Sequence, residues 1–344
     1  MKEENNILIT SAGQRVALLR AFQRELKELF PESKVYAVDM NPAFSPACQI
    51  ADGYASICKA TDENYPQALL EQCLQWGVKL IVPTIDTELL MLAKHQRLFL
   101  DKGITPVVSS LAFVQQCRDK RLTNTFFREK GIEVPVSIDK TRPTFPLLIK
   151  PYNGSLSKDI FVIRKADELT DYHLNNPDLL FMEYIDPKMH DEYTVDAYYN
   201  RNGDLKCAVP RKRIFVRAGE INKGITEKNV LVLFVTKHLA HIEGAKGCLT
   251  MQFFLNRTTK QVIAIEINPR FGGGFPLSYV AGANYPKYLI EEYLLGKEIP
   301  VNNNWEDHLL MLRYDEAVFV SHYAWPWLPW PWGPSSLSLA APTC

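Results

Sequence analysis

The segment MQFFLNRTTKQVIAIEINPR, residues 251–270, decides how the chain is read. Met251 to Leu255 is apolar and aromatic, Asn256 to Lys260 has the composition of a turn, and Gln261 to Ile267 alternates as a half-buried strand does. Two short strands joined by a polar turn follow from that pattern. In the second strand, strict alternation sends Ile263, Ile265 and Ile267 to one face and Ala264, Glu266 and Asn268 to the other. A hairpin symmetric about Thr259 sets Gln252 opposite Glu266, so that an amide faces a carboxylate across the ladder. Asn268 comes two residues later, and Arg270 lies just past Pro269. Hard oxygen donors grouped in this way suit Mg2+, which proteins hold through one or two carboxylates plus substrate phosphates. Taken alone, the motif fits a strand with a solvated polar face equally well, and the flanking sequence has to decide.

Working outward, 344 residues exceed one ordinary domain, and two or three are expected. The 39 Lys and Arg residues balance 39 Asp and Glu, so no bulk charge points to nucleic acid or to an anionic membrane. Seven cysteines, an odd number with no C-x-x-C pair, fit reduced thiols better than a disulfide framework or a zinc site. The opening MKEENNILIT is too short in apolar residues for a signal segment, and no run of about 18 apolar residues follows. A soluble cytoplasmic protein, with neither a nucleic-acid nor a membrane partner, is therefore expected.

Asn6 to Thr10 reads as a strand, Ser11-Ala12-Gly13-Gln14 as a turn and Arg15 to Leu29 as a helix, which is how a doubly wound α/β unit opens. The G-x-G-x-x-G fingerprint is missing, which argues against NAD. Lys34 to Val38 and Lys79 to Pro83 are further strands, and Tyr65 to Trp76 and Leu89 to Leu98 are helices. The strand ends bring Ser11, Asp39 and Asp86 to the edge where open α/β sheets bind ligands. Asp39 reads either as a ribose acceptor or as a loop cap. This first domain spans residues 1–110.

The pattern then changes. Leu111 to Lys130 is helical and ends at Gly131, a natural cap. The strand Leu147 to Lys150 leads into Pro151-Tyr152-Asn153-Gly154-Ser155-Leu156-Ser157-Lys158-Asp159 and a strand from Ile160 to Ile163. A lysine ending a strand ahead of a Gly/Ser loop offers a mobile ammonium and backbone N–H groups to phosphate, or simply makes a hairpin turn. The loop is not a Walker A sequence. Leu179 to Ile185, His190 to Asp196, Tyr198 to Asn200 and Lys206 to Pro210 build an antiparallel meander, turning at Asn202-Gly203. Arg211-Lys212-Arg213 closes it, either solvated or turned toward phosphate. Glu227 to His241 and Tyr285 to Leu295 are helices, and Leu309 to Val320 is a strand. Between them Gly272, Gly273 and Gly274 permit close approach to a ligand, or else a tight turn. Residues 321–344, rich in Trp and Pro and then in Ser, Leu and Ala, are expected to form a disordered tail.

In order along the chain stand Asp119-Lys120, Ile149-Lys150-Pro151 with Gly154-Ser155 and Ser157-Lys158, Met182-Glu183-Tyr184-Ile185, Glu192 to Asp196, Gln252-Phe253 and Ile265 to Arg270. This ordered set resembles the ATP-grasp superfamily, most closely its carbamoyl-phosphate-synthetase-like and pyrrolysine-pathway lysine ligase branch, over roughly residues 5–320. The resemblance implies a mixed α/β and α+β fold, in which a Rossmann-like pre-ATP-grasp domain precedes a two-lobed ATP-grasp domain over residues 111–320. It implies that ATP is held by Lys120 and Lys150, by the Gly154, Ser155, Ser157 and Lys158 loop, by a hinge at Glu183, Tyr184 and Ile185, and by Glu192 on the ribose. It implies Mg2+ (or Mn2+) on Glu266 and Asn268 with Gln252 nearby, and Arg270 as a clamp on the transferring phosphate. Lys150 and Arg211 are placed with Arg270 in the catalytic set. The activity implied is a carboxylate–amine ligase working through an acyl phosphate on small-molecule substrates. Bicarbonate or carbamate phosphorylation and a nucleotide-binding module without turnover are the alternatives. Ser11, Asp39, Asp86, Arg211, Arg213 and the Gly272–Gly274 loop are the candidate substrate pocket. Relatives commonly dimerise through the first domain, so a homodimer is one possible state. Leu156 and Asp159 depart from the glycines that relatives often carry in the loop.

Overall fold

The computed structural model describes residues 4–154, 159–217 and 219–321. Strands β1 (Asn6–Thr10), β2 (Val35–Asp39), β3 (Tyr54–Ser56), β4 (Val78–Pro83) and β5 (Thr105–Pro106) form a parallel sheet in the order β3-β2-β1-β4-β5. Every residue of β1 is buried, as a strand covered on both faces requires. Ile7 and Ile9 join a core with Leu19, Phe22 and Leu26 of the Val16–Leu29 helix, whereas Leu8 points to the opposite core with Tyr65 and Leu69 of the Tyr65–Gln75 helix. The strand order reverses between β1 and β4, which opens a crevice at their carboxyl ends.

Strands β6 (Leu147–Pro151), β7 (Phe161–Ile163) and β8 (Leu179–Glu183) make a small antiparallel sheet in the order β7-β6-β8, with its own core of Leu147, Ile149, Ile163, Leu179 and Phe181. Six strands form the large lobe: β9 (His190–Tyr199), β10 (Leu205–Arg217), β11 (Glu220–Thr226), β12 (Gly247–Asn256), β13 (Val262–Asn268) and β14 (Leu310–Leu312). Their order is β13-β12-β9-β10-β11-β14. One face of this sheet packs on Phe126, Phe127, Leu231 and Val235 from the helices Lys120–Glu129 and Val230–His238. Residues of its other face, among them Tyr198, Cys207 and Val209, share a single core with Ile7, Ile9 and Phe22 of the parallel domain. The parallel domain is thus seated on the back of the large sheet. The fold is the α/β domain followed by a two-lobed α+β unit expected from sequence.

Four local expectations change. The helix expected over Leu111 to Lys130 is two helices, Leu111–Arg118 and Lys120–Glu129. Asp119 between them is extended (φ −104°, ψ 114°), and its carboxylate accepts from Arg121 N, so capping chemistry overrides a continuous apolar period. Only Leu310–Leu312 of the strand expected to Val320 pairs, against β11, and the residues after it are mostly exposed. The basic triplet lies within β10 rather than at the end of the meander. In β13, Gln252 pairs with Glu266 while Phe253 pairs with Ala264, so Ile265 is an extra, bulged residue. The bulge resets the alternation: Ala264 joins Val262 and Ile267 in this core, and Ile263 is buried apart from it, bridged to Glu133.

Ser155, Leu156, Ser157 and Lys158, and the tail from residue 322, lie outside the described residues. Among the described residues no helix is long and apolar enough to cross a membrane.

Candidate active site

The hairpin presents Glu266 as the acceptor of two amides. Gln252 Nε2 donates to Glu266 Oε1 at 2.8 Å across the ladder, and Asn268 Nδ2 donates to the same oxygen at 2.9 Å. Plain alternation keeps Glu266 and Asn268 on one face, and the bulge at Ile265 lets Ala264, which alternation would put beside them, turn into the core. Both bonds fall on Oε1, so Oε2 and the two amide oxygens are left for a cation. One carboxylate with two amide oxygens fits Mg2+ completed by phosphates and water. Among the described residues no group of three His, Cys, Asp or Glu side chains could hold a metal ion.

Two lysines from different elements converge here. Lys120 opens the Lys120–Glu129 helix, and its Nζ donates to the Gly154 carbonyl at 2.7 Å while its backbone N donates to Tyr152 O at 2.9 Å. The helix start and the base of the Gly154 loop are therefore tied twice. Lys150, on β6, is 6% exposed. Burial pulls its ammonium down to about 8, opposed by the Glu266 carboxylate and reinforced by Lys120. Burial also lowers Lys120, which Glu266 and Asp86 oppose. Lys120, Gly154, Glu266 and Asn268 line one cavity together with Asp86 and Leu89 of the parallel domain.

Arg270 Nη2 donates to Asp86 Oδ2 at 2.7 Å, and Nη1 donates to Phe271 O at 3.1 Å. Its Nε is buried and meets no acceptor. Asp86 begins the Asp86–Lys94 helix after β4, so the parallel domain reaches the site through this ion pair. Arg211 sits differently. It is 1% exposed and bidentate to the fully buried Asp196, through Nε at 2.7 Å and Nη2 at 2.9 Å. Its Nη1 has no acceptor and abuts Gly274, where a Cβ would lie 2.3 Å away. Asp196 also accepts from Ser278 Oγ at 2.6 Å. The geometry makes Arg211 a buttress behind the glycine loop.

At the hinge, Glu183 ends β8 and is bridged to Val136: its N donates to Val136 O at 2.8 Å, and its Oε2 accepts from Val136 N at 3.2 Å. Tyr184 is half-buried and Ile185 is buried where the chain leaves the small sheet for β9. Glu192, on β9, lies 3.1 Å from Arg213 Nε. Burial raises the Glu192 carboxyl, Arg213 opposes the rise and Glu266 adds to it, so the acid faces the same cleft as the hairpin.

At the crevice of the parallel sheet, Asp39 accepts from Gly13 N at 2.9 Å and from Asn41 N at 3.1 Å, the loop-capping alternative for that residue. Ser11 Oγ donates to Glu88 at 2.9 Å. Glu88, which the sequence did not single out, is fully buried and also accepts from Thr84 N, Ile85 N and Tyr65 Oη. It stitches the ends of β1 and β4. Arg15 and Glu220, ion-paired at 3.3 Å across the domain seam, were missed as well, because nothing local marks them.

Residues 7–107 match the family described as PylC-like, N-terminal domain, and residues 175–316 match the family described as ATP-grasp in the biosynthetic pathway with Ter operon. The fold is that of ATP-grasp proteins, with the second match lying in the two-lobed unit. A carbamoyl-phosphate synthase of Methanobrevibacter smithii is 26% identical over 217 residues, 57% of this chain, and the match spans 58% of that protein's length. Among solved structures, the biotin carboxylase domain of Hydrogenobacter thermophilus 2-oxoglutarate carboxylase superposes with a TM-score of 0.67 at 17% identity, over 89% of this chain and 73% of that one. N5-carboxyaminoimidazole synthetase from Staphylococcus aureus gives 0.66 at 16% identity, over 87% and 79%. L-amino acid ligase from Bacillus licheniformis gives 0.63 at 17%, over 86% and 75%. These matches support an ATP-grasp chain of the carbamoyl-phosphate-synthetase-like branch.

Proposed function

We propose that the chain is an ATP-dependent carboxylate–amine ligase, forming C–N bonds in a reducing cytoplasm. ATP lies between the small and large sheets, with its adenine at Glu183, Tyr184 and Ile185, its ribose at Glu192, and its phosphates at Lys120, Lys150 and the loop from Gly154 through Ser155, Ser157 and Lys158. The observation that carries this reading is the gathering of Lys120, Lys150 and Arg270 around Glu266, whose carboxylate acts on all three. Phosphoryl transfer is mostly positioning and neutralisation of spreading charge, and that is what such a set supplies.

A divalent cation, Mg2+ or Mn2+, held by Glu266 with Asn268 and Gln252, supplies charge neutralisation between phosphates when bound. Arg270, fixed by Asp86, holds the transferring phosphoryl group. A carboxylate oxygen of the acid attacks the γ-phosphorus and ADP leaves. The neutral amine nitrogen then attacks the carbonyl carbon, the carbon–oxygen bond to phosphate breaks, the departing phosphate takes the proton that the nitrogen loses, and an amide remains. The base of the Gly154 loop, tethered to Lys120, stands where water must be excluded. The protein given MgATP with pooled amino acids and small acids should release ADP, and Glu266→Ala should not. Equal traces from the two proteins across a broad panel refute the reading.

The match to a carbamoyl-phosphate synthase favours a second reading, phosphorylation of bicarbonate or carbamate, which ADP release with bicarbonate and no amine would select. Asp159, at φ +55° beside a loop poor in glycine, motivates a nucleotide-binding module without turnover, marked by MgADP affinity and no hydrolysis with any substrate. The six described cysteines are all free, in keeping with a reducing location. A homodimer through the parallel domain is testable by light scattering.

A further inference from the structure

Arg118, the last residue of the helix Leu111–Arg118, lines the same cavity as Lys120, Glu266 and Asn268. It is half-buried, and among the described residues its guanidinium meets no hydrogen-bond acceptor and no carboxylate. Asp119, the nearest carboxylate in sequence, is engaged elsewhere: Oδ1 accepts from Arg121 N at 2.8 Å and Oδ2 from Arg121 Nη2 at 2.6 Å. The other charged groups of the cavity are engaged too. Asp86 is paired with Arg270 at 2.7 Å, Glu266 is shared by the Gln252 and Asn268 amides, and Lys120 donates to Gly154 O at 2.7 Å. Among the described charged groups lining this cavity, Arg118 alone is left without a partner. It also stands close enough to Lys120 for the two cations to repel: burial lowers the Lys120 ammonium most, Glu266 opposes that, and Arg118 adds to it. An anion seated on Arg118 relieves that repulsion.

The wall around Arg118 is apolar. Leu89 and Leu90 come from the Asp86–Lys94 helix, and Val114 and Cys117 from the helix that Arg118 ends. Leu89 and Val114 are fixed in one core, whereas Leu90 keeps 39% of its surface open. These side chains belong to the parallel domain and the helix that follows it, and not to the two sheets between which the nucleotide is placed. A chain of phosphates gains nothing from such a wall, whereas a carbon chain buries its methylenes against it. A planar guanidinium beyond that wall matches a carboxylate through two parallel N–H bonds. Resting on the ligase reading above, we propose that Arg118 seats a second carboxylate of the acid substrate, which is therefore a dicarboxylic acid. Its near carboxylate meets the transferring phosphoryl group between Glu266 and Arg270, and its carbon chain lies along Leu89, Leu90 and Val114. The far carboxylate on Arg118 is recognised and is not phosphorylated.

Calorimetry on the full chain saturated with Mg2+ and the β,γ-imido analogue of ATP tests this, using the unbranched α,ω-dicarboxylates from malonate to pimelate and, for those that bind, the matching monoamides. A monoamide keeps the length and removes one charge. At least one diacid should bind, and its monoamide should bind at least tenfold more weakly. Arg118→Gln should weaken that diacid at least tenfold and erase most of its advantage over the monoamide, while affinity for the nucleotide analogue stays within about twofold. Arg118→Lys keeps the charge without the fork, and its diacid affinity should fall between those of Arg118→Gln and wild type. Nucleotide binding with no diacid bound, a monoamide equal to its diacid, or a diacid indifferent to Arg118→Gln overturns the inference alone. A variant that weakens the nucleotide analogue as much as the diacid marks Arg118 as a phosphate ligand and overturns it too. Failure of the wild-type chain to bind the nucleotide analogue overturns the ligase reading, and this inference with it.

Discussion

Replacing Lys150 with methionine should make the ligand-free protein more stable and the nucleotide site useless. The ammonium is almost wholly removed from water on β6 and titrates at about 8, against 10.5 for the unperturbed side chain. Each pH unit of that difference is worth about 1.4 kcal/mol, so carrying the charge inside the folded protein costs about 3 kcal/mol near pH 7. The folded value is depressed for a base, so between about pH 8 and 10.5 the unfolded chain binds more protons than the folded one. Over that window the wild type gains stability as pH rises. Methionine has a similar length and no charge. Urea melts of the ligand-free proteins should show Lys150→Met more stable than wild type by about 1–3 kcal/mol near pH 7, with the gap narrowing by about 2 kcal/mol near pH 9.5. MgADP affinity should fall at least tenfold in the same variant. A Lys150→Met protein less stable than wild type near pH 7, or a gap that does not narrow, refutes the assignment of Lys150 as a desolvated cation that Glu266 only partly offsets.

Three further outcomes follow from the ion pairs and the glycine loop. Asp196→Ala leaves Arg211 buried without its partner and should cost about 3–5 kcal/mol in a denaturant melt, whereas Asp196→Leu combined with Arg211→Met should recover most of that loss. Asp86→Asn frees the Arg270 guanidinium, so ADP release in the pooled-substrate assay should drop at least tenfold with stability lowered by about 2 kcal/mol; unchanged turnover would deny Asp86 its positioning role. Gly274→Ala forces a methyl to within 2.3 Å of Arg211 Nη1 and 2.4 Å of Ile221 Cγ2. Thermal unfolding should register about 1–3 kcal/mol of overpacking.

The pairing of Gln252 with Glu266 was legible in the sequence because a polar turn between two strands fixes register locally, and the 2.8 Å bond confirms it. The bulge at Ile265 was not, since two residues sharing one partner depends on how the hairpin bends over its core. The break at Asp119 has a visible signal, a capping residue inside an apolar period, which the period alone conceals. Asp86 was placed at the right sheet edge, but its partner Arg270 lies 184 residues away, and no spacing rule encodes such a contact. Glu88, Arg15 and Glu220 carried no motif at all. Their roles exist only because the crevice between β1 and β4 and the seam between domains bring them together. Local chemistry was readable, whereas the joint between the parallel domain and the large lobe had to be seen.

The oxygen that moves reports most directly on the chemistry. With the accepted acid labelled with 18O in its carboxylate, turnover with MgATP should transfer one labelled oxygen to each phosphate released, as attack of that carboxylate on the γ-phosphorus requires. Turnover that releases only unlabelled phosphate would contradict it.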